Sequence, residues 1–327
     1  MVRARAVATQ TGTVILVLIA VYAFLLFLKA TGISEVNFDR QQVANGIGVG
    51  AIYGSVALAL VLIYRSTGVV NFAQGEMAMF STFFAWSLIV DQKITFWLGF
   101  AIVLVLAAIL GTVVQRVVIK PVENAPLLTV IIVTLGLLQI FNSSANFIWQ
   151  SQPKAFPTPF GRGSFNIFGA SVGKPTVGTI AVMLVVMALV FCFFNYTKVG
   201  LASRAAAQNP LASRLCGVPV SWMLTIGWAL ASVVGAAAGM LVANTLSLDP
   251  NMMIGVLLYA FAAAVLGGLD NPVGAVVGGF VVGIVQNVVV GADLLKGIPD
   301  AVAFVVIVLV LVIRPTGLLG RRVVAKV

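Results

Sequence analysis

KVGLASRAAAQNPLASRLCGVP, residues 198–219, is a basic island in an otherwise apolar half of the chain, and its reading decides the fold. Lys198, Arg204 and Arg214 sit in a segment that carries its own helix punctuation. Asn209 followed by Pro210 makes an N-cap and first turn, because the Asn side chain accepts from a free backbone N–H and Pro has none to leave unpaired. Gly217 then supplies a stop, with Pro219 just beyond. The spacing predicts two short helices, about 201–208 and 210–216, lying outside the hydrophobic layer. A solvated basic loop and a docking element for a soluble partner both fit these residues, so the flanking sequence bears on the choice.

That flanking sequence is membrane-like. Of 327 residues, 61% are hydrophobic and only 9% charged, against about 25% charged in soluble domains. The fold class expected is all-α, a polytopic transmembrane helical bundle forming a single membrane domain over 1–327. The formal charge of +10 does not point to nucleic acid, because the basic residues stand singly between apolar runs rather than on one face. The chain has no His, which removes the commonest metal ligand and the usual general base. No catalytic or metal-binding residue is therefore expected. Cys192, inside an apolar run, and Cys216, in the basic island, read as small apolar residues rather than a disulfide or metal site.

A spanning helix needs about 20 mostly apolar residues. Candidate segments are 12–28, 43–64, 68–90, 95–118, 127–149, 176–196, 220–245, 252–268, 272–291 and 298–313, of which eight to ten span. The first follows Arg3 and Arg5, but 28–30 lacks a small-residue cleavage pattern, so it reads as a helix rather than a signal peptide. With the N-terminus inside, twelve of the 19 Lys and Arg residues fall on the cytoplasmic side and seven outside. The positive-inside rule thus puts both termini and the basic island in the cytoplasm. The pair 252–268 and 272–291 fits either two spans or a re-entrant hairpin. Residues 150–175, rich in Pro, Gly, Ser and Phe, form the largest external piece, suited to a vestibule or lid where a partner lands. Their GASVGK, 169–174, is not a phosphate loop, because the spacing is wrong and Pro175 replaces the required Ser or Thr.

Gly46, Gly50 and Gly54 recur every four residues, and Gly235 with Gly239, Gly274 with Gly278, and Gly279 with Gly283 repeat the spacing. Small residues so placed let helix backbones approach closely in lipid. Gly-interrupted spans also suit a transport path built of broken helices. The most unusual residues for their surroundings are Asn71, Gln74 and Glu76, at the start of the 68–90 run. A charge inside a span normally faces protein or water. Glu76 is therefore a candidate for gating or substrate passage, or alternatively a partner for a helix terminus or Arg65. Gln139, Asn142, Ser143 and Asn146 can share a helix face as a polar lining or as interhelical bonds.

Four motifs together carry a resemblance: VNFAQGE at 70–76, GLASRAAAQNPLASRLCGV at 200–218, AVLGGLDNPVGAVVGG at 264–279 and RPTGLLGR at 314–321. In this order and spacing they resemble the permease subunits of bacterial branched-chain amino acid ABC transporters, the shorter of the two unlike permeases, over about 45–321. The resemblance implies a second unlike permease, two cytoplasmic ATPase subunits that bind ATP and Mg while this chain binds no cofactor, and an external substrate-binding protein. It places the chain in the bacterial inner membrane and makes 197–219 the coupling segment, with Arg204, Asn209, Pro210, Arg214 and Gly217 as coupling residues. The implied path carries a small-molecule substrate past Asn71, Gln74, Glu76, Gln139 and Asn142. The family often has His where Gln74 stands and Gly where Asp270 stands. Relatives move urea or short amides on the same scaffold. The competing readings are an ion-coupled carrier using Glu76, which would want several intramembrane acids, a channel, and a membrane enzyme, for which no acid–base pair is visible.

Overall fold

The computed structural model describes residues 40–123, 125–161, 163–167, 169–291, 300–313 and 317–320. The expected first helix at 12–28 and the basic residues at 3, 5, 29, 162, 296, 314, 321, 322 and 326 lie outside them. Among the described residues there are eleven α-helices: α1 Arg40–Thr67, α2 Gln74–Trp86, α3 Phe96–Val113, α4 Leu127–Trp149, α5 Lys174–Tyr196, α6 Lys198–Gln208, α7 Pro210–Leu215, α8 Val220–Leu246, α9 Met252–Gly267, α10 Pro272–Gly291 and α11 Ala301–Ile313. Six segments of the described residues are long and apolar enough to cross a membrane: α1, α3 with its π and 3₁₀ extension to Val122, α4, α5, α8 and α10. Among the described residues the bundle is all-α apart from one hairpin, β1 Ser164–Ile167 with β2 Ala170–Gly173, which the helical reading of the chain does not anticipate.

The centre of the bundle is the α1–α10 crossing. A Cβ on Gly46 would lie 2.7 Å from Ile284 Cα, and one on Gly50 would lie 2.8 Å from Phe280 Cα. Gly54 meets Val276 O, while Gly279 and Gly283 face the backbone of Gly54 and Gly50 in return. The two helices thus touch backbone to backbone, which is what the four-residue glycine spacing predicts in lipid. Gly274 and Gly278 do the same on the other face of α10, against Gly267 and Ala263 of α9. By contrast α3, α4 and α5 cover little of themselves, leaving Leu106, Ile132, Leu189 and their neighbours exposed as a membrane-facing surface.

Three of the expected spans fall short among the described residues, 298–313 holding only the 13 residues of α11. The 68–90 run is helical only from Gln74, because Gly68 turns the chain at φ +72° and residues 69–73 continue without helix. Asn71 Oδ1 accepts from Ala73 N at 3.0 Å, a local side-chain bond that replaces helical pairing there. α9 has 16 residues, about 24 Å of helix, short of the ~30 Å hydrocarbon layer. Of the ambiguous pair, α10 is long enough to cross and α9 is not.

The two ends of the bundle are closed differently. At one end the hairpin docks on α1, where Gln41 Nε2 donates to Ser171 O and Ser171 N donates to Gln41 Oε1, both at 2.8 Å. The preceding loop lies over the bundle through paired backbone bonds between Lys154 and Leu248 and through Trp86 Nε1 donating to Ala155 O. GASVGK forms β2 and the first residue of α5, not a phosphate loop. At the opposite end Leu318 N donates to Leu266 O, and Asn271 Nδ2 donates to Leu319 O, so the tail motif lies on the α9–α10 turn.

Candidate functional site

α2 and α9 run in opposite directions, and they start beside each other inside the bundle. A Cβ on Gly75, in the first turn of α2, would stand 3.4 Å from Met253 Cβ in the first turn of α9. α2 then heads to the hairpin end and α9 to the tail end. Each N-terminus carries roughly half a positive charge from its aligned peptide dipoles. Two acids stand at this junction: Glu76 in the first turn of α2 and Asp249 just before α9, where its Oδ1 accepts from Asn251 N at 2.7 Å.

Glu76 is 2% exposed. One carboxylate oxygen accepts from Asn142 Nδ2 on α4 at 3.5 Å, a long bond for a buried acid. The same Asn142 amide donates to Pro250 O at 3.0 Å and to Asn251 Oδ1 at 3.1 Å. Asn142 therefore ties α2, α4 and the α8–α9 turn into one polar node. Asn146 extends it along α4, donating to Asn142 O and Oδ1 at 2.9 Å. The node gathers acceptor oxygens beside two helix N-termini.

The other path residues of the sequence reading separate. Gln74 Nε2 donates to Ala231 O on α8 at 3.0 Å, while its Oε1 is buried and accepts nothing. Gly235 makes the room for it, since a Cβ there would collide with the Gln74 amide. Asn71 is buried and shapes the 68–73 turn, as above. Gln139 is turned outward and donates to Ser143 on its own helix, so the polar stripe of α4 splits into an inward pair, Asn142 and Asn146, and an outward one. Glu76 is bonded to Asn142 of α4, beside the α8–α9 turn. Asp249 and Asn251 escape sequence reading because they look like an ordinary connection. The signal that could find them is the shortness of the 252–268 run.

At the tail end, the punctuation of 198–219 forms as expected. Asn209 Oδ1 accepts from Ala212 N at 3.0 Å with Pro210 at the first position of α7, and Gly217 closes it at φ +78°, a conformation L side chains rarely adopt. Thr197 also caps α6, accepting from Gly200 N at 2.9 Å. Ala206 packs with Val220 and Met223, holding α6 against α8. Arg204 turns back toward the bundle and donates to Asn195, whereas Arg214 projects outward with Leu211 and Leu215, the last 83% exposed. Among the described residues no group of His, Cys, Asp or Glu is arranged to hold a metal ion.

Spans interrupted around a buried polar node, with a capped helical knob outside, define a multi-pass membrane permease. Residues 42–313 match the model for the branched-chain amino acid transport system / permease component family, and the chain belongs to that family. It is 30% identical over 301 residues to the high-affinity branched-chain amino acid transport system permease protein LivH of Escherichia coli K12, covering 88% of this chain and 97% of that one. It is 28% identical over 309 residues to BraD of Pseudomonas aeruginosa, a permease protein of the same description, covering 90% and 99%. The ribose import permease protein RbsC of Escherichia coli K12 is 26% identical over 261 residues, 76% of this chain and 78% of that one.

Proposed function

We propose that this chain is the membrane-spanning permease subunit of an importer for branched-chain or related amino acids, working with a second, unlike permease, two cytoplasmic ATPase subunits and an external substrate-binding protein. The observation that carries the reading is the meeting of two shortened helices, N-terminus to N-terminus, around Glu76 and Asn142. A zwitterionic amino acid suits that point: its carboxylate complements the helix N-termini and its ammonium complements Glu76. Urea and short amides carry no charge for Glu76 to meet, which favours the amino acid. In this reading the α6–α7 end faces the cytoplasm, both termini lie there, and the hairpin end receives the binding protein. Leu211, Arg214 and Leu215 form the knob that seats in an ATPase cleft, with the Asn209 cap, Pro210 and Gly217 fixing its shape, and Arg204 bracing it from behind.

The test is transport in proteoliposomes holding this chain with its partner subunits. ATP-dependent leucine uptake is expected, with no uptake driven by an imposed pH gradient alone. The variant Arg214→Glu with Leu215→Asp is expected to lower both uptake and substrate-stimulated ATP hydrolysis about thirtyfold, the effect of removing an interface anchor, at unchanged membrane expression. Uptake that follows the pH gradient without ATP and ignores the knob would defeat the assignment.

A further inference from the structure

Glu76 is buried, so a solute meets it only after some element moves. At the hairpin end residues 150–155 form a strap with almost no apolar anchoring of its own. It runs between Trp149, whose ring stacks on Phe83 at 5.1 Å, and Phe156, which is buried with its ring edge-on to Phe96. In between, Gln150, Ser151, Gln152, Pro153 and Ala155 are exposed and Lys154 is half-buried. Segments with few buried apolar contacts open at the lowest free energy. What holds this one is polar, and it holds the strap to the node. Ser151 Oγ donates to Asn146 Oδ1, and Asn146 in turn donates to Asn142. Lys154 N donates to Leu248 O at 2.8 Å and Leu248 N to Lys154 O at 2.9 Å, one residue before Asp249. Trp86 Nε1, at the end of α2, donates to Ala155 O at 3.1 Å, with the Lys154 ammonium over its ring. The strap is thus fastened to α2, α4 and the α8–α9 turn, the same three elements that Asn142 ties together.

Both members of the Lys154–Leu248 pairing begin on a strained residue. Gln150, at φ +64° and ψ 161°, opens the strap, and Ser247, at φ +67° and ψ 152°, opens the α8–α9 turn. Neither is glycine, and a side chain in that region of backbone space persists only where surrounding contacts hold it there. Releasing the pairing lets both residues return to ordinary φ, so the closed strap is loaded to open. We propose that 150–155 is the outer gate of the Glu76–Asn142 site, hinged at Gln150 and Ser247 and released when the binding protein docks, an inference that rests on the importer reading above.

The experiment uses the full chain with its partner subunits in proteoliposomes, in a background carrying Cys192→Ala and Cys216→Ala. Residues that exchange both backbone bonds across an antiparallel pair have Cα atoms about 5.5 Å apart, within the span of a disulfide. Lys154→Cys with Leu248→Cys therefore locks the strap shut on oxidation. ATP-dependent leucine uptake is expected to be lost in the oxidised form and restored by reductant, while Lys154→Cys alone is indifferent to oxidant. Gln150→Gly with Ser247→Gly relaxes the closed form instead of locking it. Hydrogen exchange at the Lys154 and Leu248 amides is expected to slow about tenfold, and uptake to fall, with no loss in thermal midpoint. Complete disulfide formation, read by mass spectrometry, with uptake equal to the reduced form overturns the proposal. Slowed exchange with unchanged uptake in the glycine variant does the same, since it marks a merely structural turn. Absence of leucine uptake in wild type would defeat the importer reading instead. Exchange still tests the gate in that case, and strap amides that exchange no faster than those of α8 overturn it on their own.

Discussion

Gly279→Leu is expected to leave no folded permease in the membrane. A Cβ at this position would fall against the backbone N and Cα of Gly54, with Gly50 O at 3.0 Å. Carbon atoms in good contact sit about 3.5–4 Å apart, so the helices would have to separate along their length. Overpacking in a core usually costs about 1–3 kcal/mol because neighbouring side chains shift. Here the obstruction is backbone, and no rotamer change relieves it. The cost should therefore exceed that range. The same crossing also sets the positions of α9 and, through it, the tail at Leu318 and Leu319. The measurement is the monodisperse fraction and thermal midpoint of detergent-extracted protein. Gly136→Leu is the control: nothing stands within 4 Å of a Cβ there, and exchanging Gly for Leu in an exposed helix favours the helix by roughly 0.5–1 kcal/mol. Equal survival of the two variants would mean that α1 and α10 do not cross as described.

The contrast between those two glycines shows what a sequence can carry. The four-residue spacings mark close helix crossings because only small side chains permit them, and every such pair has backbone or a bulky neighbour against it. Yet Gly235 and Gly239 serve a second purpose, admitting the Gln74 amide and the Thr82 hydroxyl of α2, which spacing alone does not reveal. Caps are equally legible: Asn209, Pro210 and Gly217 act locally, so their chemistry does not depend on distant contacts. Thr197 acts by the same rule but is hidden at the end of an apolar run.

Hydropathy fails where the backbone stops being helical without becoming polar. Residues 68–73 are apolar enough to extend a span, and only the Gly68 turn and the Asn71 side-chain bond reveal that the helix begins later. The consequence is large, because that break moves the α2 N-terminus and Glu76 into the interior. Lys154, Trp86 and Leu248 illustrate the same limit at the hairpin end. The loop is anchored by long-range backbone pairing and by the Lys154 ammonium 4.5 Å above the Trp86 ring, contacts with no signature in local composition.

Glu76 and Asn142 should give different losses when each is altered. Glu76→Gln keeps the shape and a hydrogen-bonding group, so the thermal midpoint is expected to stay near wild type while leucine uptake falls about thirtyfold or more, the cost of losing one partner of a desolvated charge pair. Asn142→Leu removes the amide that links Glu76, Pro250 and Asn251. It leaves a buried carboxyl without its donor, a penalty of about 1–3 kcal/mol and more for a charged group, so loss of stability should precede and explain loss of transport. The double variant should recover part of that stability, because a neutral amide tolerates the missing donor better than a carboxylate does. Substrate choice separates passage from support. Wild type should favour leucine over 4-methylpentanoate, the same carbon skeleton without the amine, and Glu76→Gln should narrow that ratio with the same binding protein present on both sides of the comparison. A Glu76→Gln variant that transports leucine at the wild-type rate, or loses it with the ratio unchanged, would make the α2–α9 junction a structural pin and send the search for the ammonium site elsewhere in the bundle.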